Sequence, residues 1–203
     1  QANFGKIGTF SAYSELSSAL RKVVDDEFQP LSQIIYAAES YRFTQTLHDE
    51  NPDAAKVLSK GHLFDLKSPV MDKLSWIFVN EDERKENYIA IYGRVENKRV
   101  LKWIDRRYVS VPDNFDSFKV FLPHSNGSGA IGEVLSTPLV GEPFVGHTQT
   151  FISIGKFKTK FEAEACLKYI KTRFARAMLG TLKVTQHNPR ETWANVPLQD
   201  FTP

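Results

Sequence analysis

Cysteine is almost absent. Cys166 is the only one in 203 residues, so the chain cannot close a disulfide on itself. That suits a reducing, cytoplasmic compartment. Cys166 falls inside a helical pattern, where a lone cysteine reads as a small buried apolar residue rather than a nucleophile. Long apolar runs are missing too. None approaches the roughly 20 residues of a membrane span, and QANFGKIGTF lacks the basic-then-apolar order of a secretory signal. Familiar catalytic signatures do not occur. The five histidines, His48, His62, His124, His147 and His187, form no HExxH pair, and there is no Walker loop or GxSxG elbow. One cysteine disfavours a zinc site. Paired carboxylates stay open, because the spatial neighbours of the 24 acidic residues are not legible.

The length fits one domain, or a domain with an appendage, and is enough to bury a core. Net charge is only +2, but its distribution is uneven. Arg94, Lys98, Arg99, Lys102, Arg106 and Arg107 stand against Glu96 and Asp105, a local excess of four positive charges. The stretch from Lys156 to Arg176 carries an excess of five. Acid collects elsewhere, in VDDE (24–27) and NEDERKE (80–86). Segregated signs suit a polyanion-binding face on a neutral body. Solvated charge runs are the plain alternative.

Hydrophobic spacing outlines the elements. Residues 14–28 read as an amphipathic helix, with Leu16, Leu20, Val23 and Val24 on one face. Residues 30–37 read as a strand or short turn, 40–52 as a long loop, and 52–61 as a short helix with Pro52 in its first turn. SWIFVNE (75–81) reads as a strand, and 88–104 as a hairpin around the polar turn VENK. Further strands are expected at 107–111, 118–122 and 148–155. Residues 159–180 read as one helix opened by a Thr159–Glu162 capping box. Its buried stripe is Ala163, Leu167, Ile170, Phe174 and Ala177 or Met178, and Gly180 stops it. Residues 196–201 read as an extended tail. The sum is an α+β fold: a strand-rich, mixed or antiparallel sheet bracketed by helices.

Gly127-Ser128-Gly129-Ala130-Ile131-Gly132 matches the GxGxxG dinucleotide fingerprint in form. The fingerprint needs a helix starting at the glycines, and Pro138, Gly141 and Pro143 would break one. The loop PHSNGSGAIGE and the following GEPFVGHTQTF mix amides, hydroxyls, imidazoles and glycines. Such loops can read base edges, or simply make turns.

These stretches carry a resemblance. FKVFLPHSNGSGAIGEVLSTPLVGEPFVGHTQTFISIGKF and EAEACLKYIKTRFARAMLGTLKVTQHNPRETWANVPLQDFTP resemble the C-terminal part of bacterial type II restriction-modification adenine methyltransferases, some of them fused methylase–endonucleases. The likeness is dense over 115–203 and looser over 28–66. It implies a target-recognition domain, similar in fold to those of type I specificity subunits, that docks on double-stranded DNA. The Asn-Pro-Pro-Tyr-type motif of these enzymes is missing, since no Pro-Pro pair occurs, and NFGKIGTF (3–10) lacks the setting of a methyl-donor site. The resemblance therefore implies one recognition domain over 1–203, cut from a larger chain. It would be non-catalytic and hold no cofactor, with S-adenosylmethionine bound in the parent's methyltransferase core. Arg99, Lys102, Arg106, Arg107 and Lys156 are expected on phosphates. Arg42, Gln45, His124, Asn126, Ser128, His147 and Gln149, in irregular segments, are expected to read bases. Two other readings stand beside this one: a scaffold module docking through helix 160–179, and a nucleotide-dependent enzyme using GSGAIG.

Overall fold

The hairpin forms as its alternation requires. Strand β3 (Tyr88–Val95) and β4 (Lys98–Asp105) pair in register from Tyr88↔Asp105 to Val95↔Lys98. Only Glu96 and Asn97 lie between them, both with positive φ (46° and 64°). A two-residue turn of that kind matches the twist of the strands it joins. The pleat then sorts the side chains. Ile89, Ile91 and Ile104 point into one core, while Tyr92, Arg94 and Arg99 occupy the opposite face.

A computed structural model describes residues 14–23 and 27–203. In chain order the remaining elements are α1 (Ser14–Val23), β1 (Ile35–Tyr36), β2 (Arg42–Phe43) and α2 (Gln45–Glu50). Two single-turn helices follow, α3 (Ala54–Val57) and α4 (Val70–Lys73), before the hairpin. After it come β5 (Val109–Ser110), β6 (Phe118–Pro123), β7 (Leu139–Gly141), β8 (Val145–His147) and β9 (Phe151–Phe157). Helices α5 (Lys160–Ile170) and α6 (Arg173–Gly180) complete the set.

Two sheets carry the fold. One has the order β1-β9-β6-β7 and is antiparallel throughout. The other, β4-β3-β8, is mixed, because β8 runs parallel to β3. A small β2-β5 pair lies apart. Each larger sheet has its own core. Val120, Leu122, Ile152 and Ile154 of the first pack with Cys166, Ile170, Met178 and Trp193. Ile89, Ile91 and Ile104 of the second pack with Leu47, Leu66, Met71 and Phe78. The seam is aromatic: the Tyr92 ring stacks on Phe121 with centroids 6.0 Å apart and lies 4.9 Å from Phe151. The architecture is α+β with mixed and antiparallel sheets. No helix among the described residues is long and apolar enough to cross a membrane.

Several elements differ from their sequence reading. Residues 40–52 are not a loop but contain β2 and α2, because Phe43 and Leu47, four apart, both anchor in the core. Residues 75–81 form turns with one isolated bridge, Val79↔Trp103; Ile77 and Phe78 are buried side by side, which a half-exposed strand forbids. The strand at 107–111 shrinks to Val109–Ser110, the one at 148–155 begins only at Phe151, and a 3-10 turn fills 31–34. The long helix is two. Thr172 turns extended (ψ 154°) and its side chain accepts from the Ala175 amide at 3.1 Å, capping α6. The restart rotates the stripe, so Ala175 is buried and Phe174 is 41% exposed. The Thr159–Glu162 capping box is present. Of the first helix, residues 24–26 lie outside the described residues, as does NFGKIGTF.

Candidate functional site

A cleft of about 430 Å³ opens where the two sheets meet. Its walls come from distant parts of the chain: Arg94 and Arg99 from the hairpin, His124 after β6, Gln149 and Thr150 from the passage between β8 and β9, and Phe151 at the start of β9. Arg94 and Arg99 are cross-strand partners on one face of the hairpin. Arg94 donates to the Asn97 carbonyl (3.0 Å) and Arg99 to the Thr137 carbonyl (2.8 Å). The Arg99 guanidinium also lies 5.5 Å from the centre of the Phe151 ring. Neither arginine forms an ion pair among the described residues. The other donors are uncharged. Thr150 donates to Ser68 at 2.8 Å, and Gln149 Nε2 is shielded from water with no partner among the described residues. Burial holds His124 below the ordinary imidazole value, with His187, 5.3 Å away, adding to the shift against an opposing Glu39.

Three of the residues singled out from sequence, Arg99, His124 and Gln149, thus converge. Ser68 and Thr150 were missed, and Arg94 was counted in the basic excess without being singled out. Arg94 was legible in principle: with a two-residue turn at Glu96–Asn97, counting outward sets it opposite Arg99. Nothing in the sequence pointed to Ser68.

The remaining residues are elsewhere or occupied. Lys102 lies on the other face of β4 and donates to Asn80 at 2.6 Å. Arg106 donates to the Val109 carbonyl and covers Phe115. Arg107 is forked between Asp105 and Glu50 (3.0 and 2.7 Å). Lys156 pairs with Asp113 and lines a separate recess with Phe157 and Phe201. Arg42 pairs with Asp65, and Gln45 donates to Asp49.

Two residues expected to read bases are sealed in the interior. His147 is fully buried; its Nδ1 meets the Thr148 carbonyl at 2.9 Å, and its ring packs edge-on to Tyr41. Burial pushes its pKa down to about 4. Asn126 is also buried, and it shapes the loop after β6. Its side-chain oxygen accepts from the Ser136 amide while its Nδ2 donates to the Val134 carbonyl.

The glycine loop is a packed wall. No helix follows Gly132; the chain runs irregularly to β7. Instead the Glu133 carboxylate folds back on the amides of Ser128 and Gly129 and pairs with Lys183, which is 2% exposed. Lys183 also donates to the Asn126 carbonyl at 2.6 Å. Desolvation pushes the Glu133 pKa up, but the Lys183 and backbone bonds outweigh it and leave it lowered. Gly129 has φ +91°, and a Cβ there would sit 2.8 Å from the backbone of Val184 and Thr185. Gly127 and Gly129 permit close packing, while Gly132 has open space beside it. Ser128 is exposed on the loop, and Ser125 and Ser136, at its two ends, line the cleft.

Among the described residues no three His, Cys, Asp or Glu side chains gather as a metal ion requires. Cys166 is buried and its thiol is pushed up to about 12. Comparison with protein-family models, with curated proteins and with solved structures gives no match.

Proposed function

We propose that the chain is a DNA target-recognition domain, akin to those of type I specificity subunits, serving an adenine-specific methyltransferase of a type II restriction-modification system. One observation supports it most. Residues from five separated stretches meet in a cleft that offers two guanidiniums, an imidazole, two amides and hydroxyls, with no carboxylate in its lining. Guanidiniums suit phosphates, and amide and hydroxyl groups suit base edges. In this reading the domain docks on duplex DNA and positions a separate cytoplasmic methyltransferase core. That core holds S-adenosylmethionine and methylates an extruded adenine. The test is duplex binding measured across salt concentration. The reading expects binding at low salt that falls steeply as salt rises and weakens in Arg99→Gln. Salt-independent binding, or none at low salt, overturns it.

A scaffold role has its own support in Phe161 and Phe174, large apolar side chains left exposed on α5 and α6. It becomes the better reading if duplex binding is absent and the chain instead holds a methyltransferase or nuclease subunit.

A further inference from the structure

The cleft has features that the backbone of an intact duplex would not use. Arg94 and Arg99 stand directly opposite each other in a hairpin with the tightest turn possible. Like charges facing across two strands repel. No carboxylate among the described residues neutralises them, and a backbone carbonyl aims each guanidinium. Two guanidiniums from one face of the hairpin, both lining the cleft, suit the oxygens of a phosphoryl group. The space beside them is concave, not a ridge or stripe. One flat face borders it, the His124 ring, and the buried Phe151 ring lies beneath Arg99. Gln149 also lines the cleft, and its amide nitrogen, shielded from water, has no partner among the described residues.

We infer that the Arg94–Arg99 cleft binds a single unpaired nucleotide, its phosphate on the two guanidiniums and its base against the His124 ring. The inference rests on the reading of the cleft as a nucleic-acid site and adds what enters it. A paired base has its faces covered by its neighbours and cannot enter a pocket; an unpaired one can offer both its face and its edge. Adenosine monophosphate is a suitable probe, because it carries one phosphate and one free base.

The experiment is calorimetric titration of the full chain at low salt with adenosine monophosphate, adenosine, inorganic phosphate, a single-stranded oligonucleotide and a blunt duplex. Arg94→Gln, Arg99→Gln and Arg99→Lys are run beside the parent, with circular dichroism to check folding. The expected result is saturable binding of adenosine monophosphate, about tenfold or more tighter than adenosine or phosphate alone. Either Gln variant should weaken it about tenfold while staying folded, and Arg99→Lys should recover only part, since a lysine cannot form the two-pronged contact. Single strand should compete with the nucleotide for the cleft. If duplex binds and depends on Arg99 but the mononucleotide does not bind, the inference fails and the recognition reading stands. If the mononucleotide binds and the duplex does not, the inference holds and the recognition reading fails. Equal binding of adenosine monophosphate and phosphate also overturns it, because the base then contributes nothing.

Discussion

The two ends of the hairpin carry the same charges in different company. At the turn, Arg94 and Arg99 face each other and touch only backbone carbonyls and a ring. At the base, Arg107 sits in a mesh with Asp105 and Glu50, and the Tyr108 hydroxyl donates to Glu50 at 2.6 Å. Arg106 beside it is laid over Phe115 and tied to the Val109 carbonyl. The mesh lowers the Glu50 pKa, chiefly through the Tyr108 and Arg107 bonds. At Asp105 burial works the other way, but the Arg107 and Asn87 bonds outweigh it and the net shift is also downward. Counting basic residues cannot tell these ends apart. What separates them is whether the fold already supplies the anion. Where it does, the arginine is a strut; where it does not, the site is free for a ligand.

The coarsest way to break this contrast is to remove the wall that shapes the free end. Lys183→Met leaves Glu133 without its cation in the glycine loop and should cost about 3–5 kcal/mol in urea denaturation, with phosphate binding lost as the loop loosens. An unchanged midpoint would mean the pair does not hold the loop.

Next is acid. His147 takes a proton with a pKa of about 4 in the fold and about 6.5 when unfolded. Its folded value is depressed, so stability is full above about pH 6.5 and declines as pH falls toward 4, by about 3 kcal/mol in all. His147→Gln should flatten that decline in denaturation midpoints measured from pH 7.5 to 4. The base-end carboxylates, with lowered values, should begin to give way only as pH falls below the ordinary carboxylate range, at the acid end of that window.

Smaller, but more direct, is Arg99→Gln, which should weaken nucleic-acid binding about tenfold, the weight of one charge-assisted hydrogen bond. Stability should barely change, because relief of the repulsion with Arg94 offsets the lost carbonyl bond. The smallest effect on binding belongs to Arg107→Ala. It should lower the denaturation midpoint at neutral pH, and that loss should vanish once Glu50 and Asp105 are protonated. If Arg107→Ala impairs binding as much as Arg99→Gln, the contrast between the two ends is wrong.

The sequence was most legible where one local rule dominated. The hairpin, β6, the capping box at Thr159 and the α+β class all follow from period and turn chemistry over a few residues. It was less legible where tertiary packing overrode a pattern. The apolar stripe over 159–180 runs past Thr172, and only the structure shows that this side chain caps a new helix. His147 and Asn126 have the chemistry of base readers, yet nothing in their neighbours says that the Tyr41 and Phe121 rings close over one and the loop over the other. The cleft was half visible. Arg99, His124 and Gln149 stood out by residue type, but their meeting depends on pairing between segments far apart in the chain.

That pairing has a consequence for how the domain comes together. Residues 148–150 pass from one sheet to the other: the Thr148 amide is bonded to the Tyr92 carbonyl on β3, and the Thr150 carbonyl receives the His124 amide beyond β6. The hairpin can close early, since its contacts are local. The clasp cannot, because it needs β3, β6 and β9 already in place, and β9 in turn pairs with β1 near the other end of the chain. Long-range closures of that kind form slowly. The cleft is lined by the clasp itself, so it comes into being only with the last step of assembly. A half-formed domain, or one cut between Gly146 and Phe151 and left unjoined, would keep its arginines and lose the place for a ligand to sit.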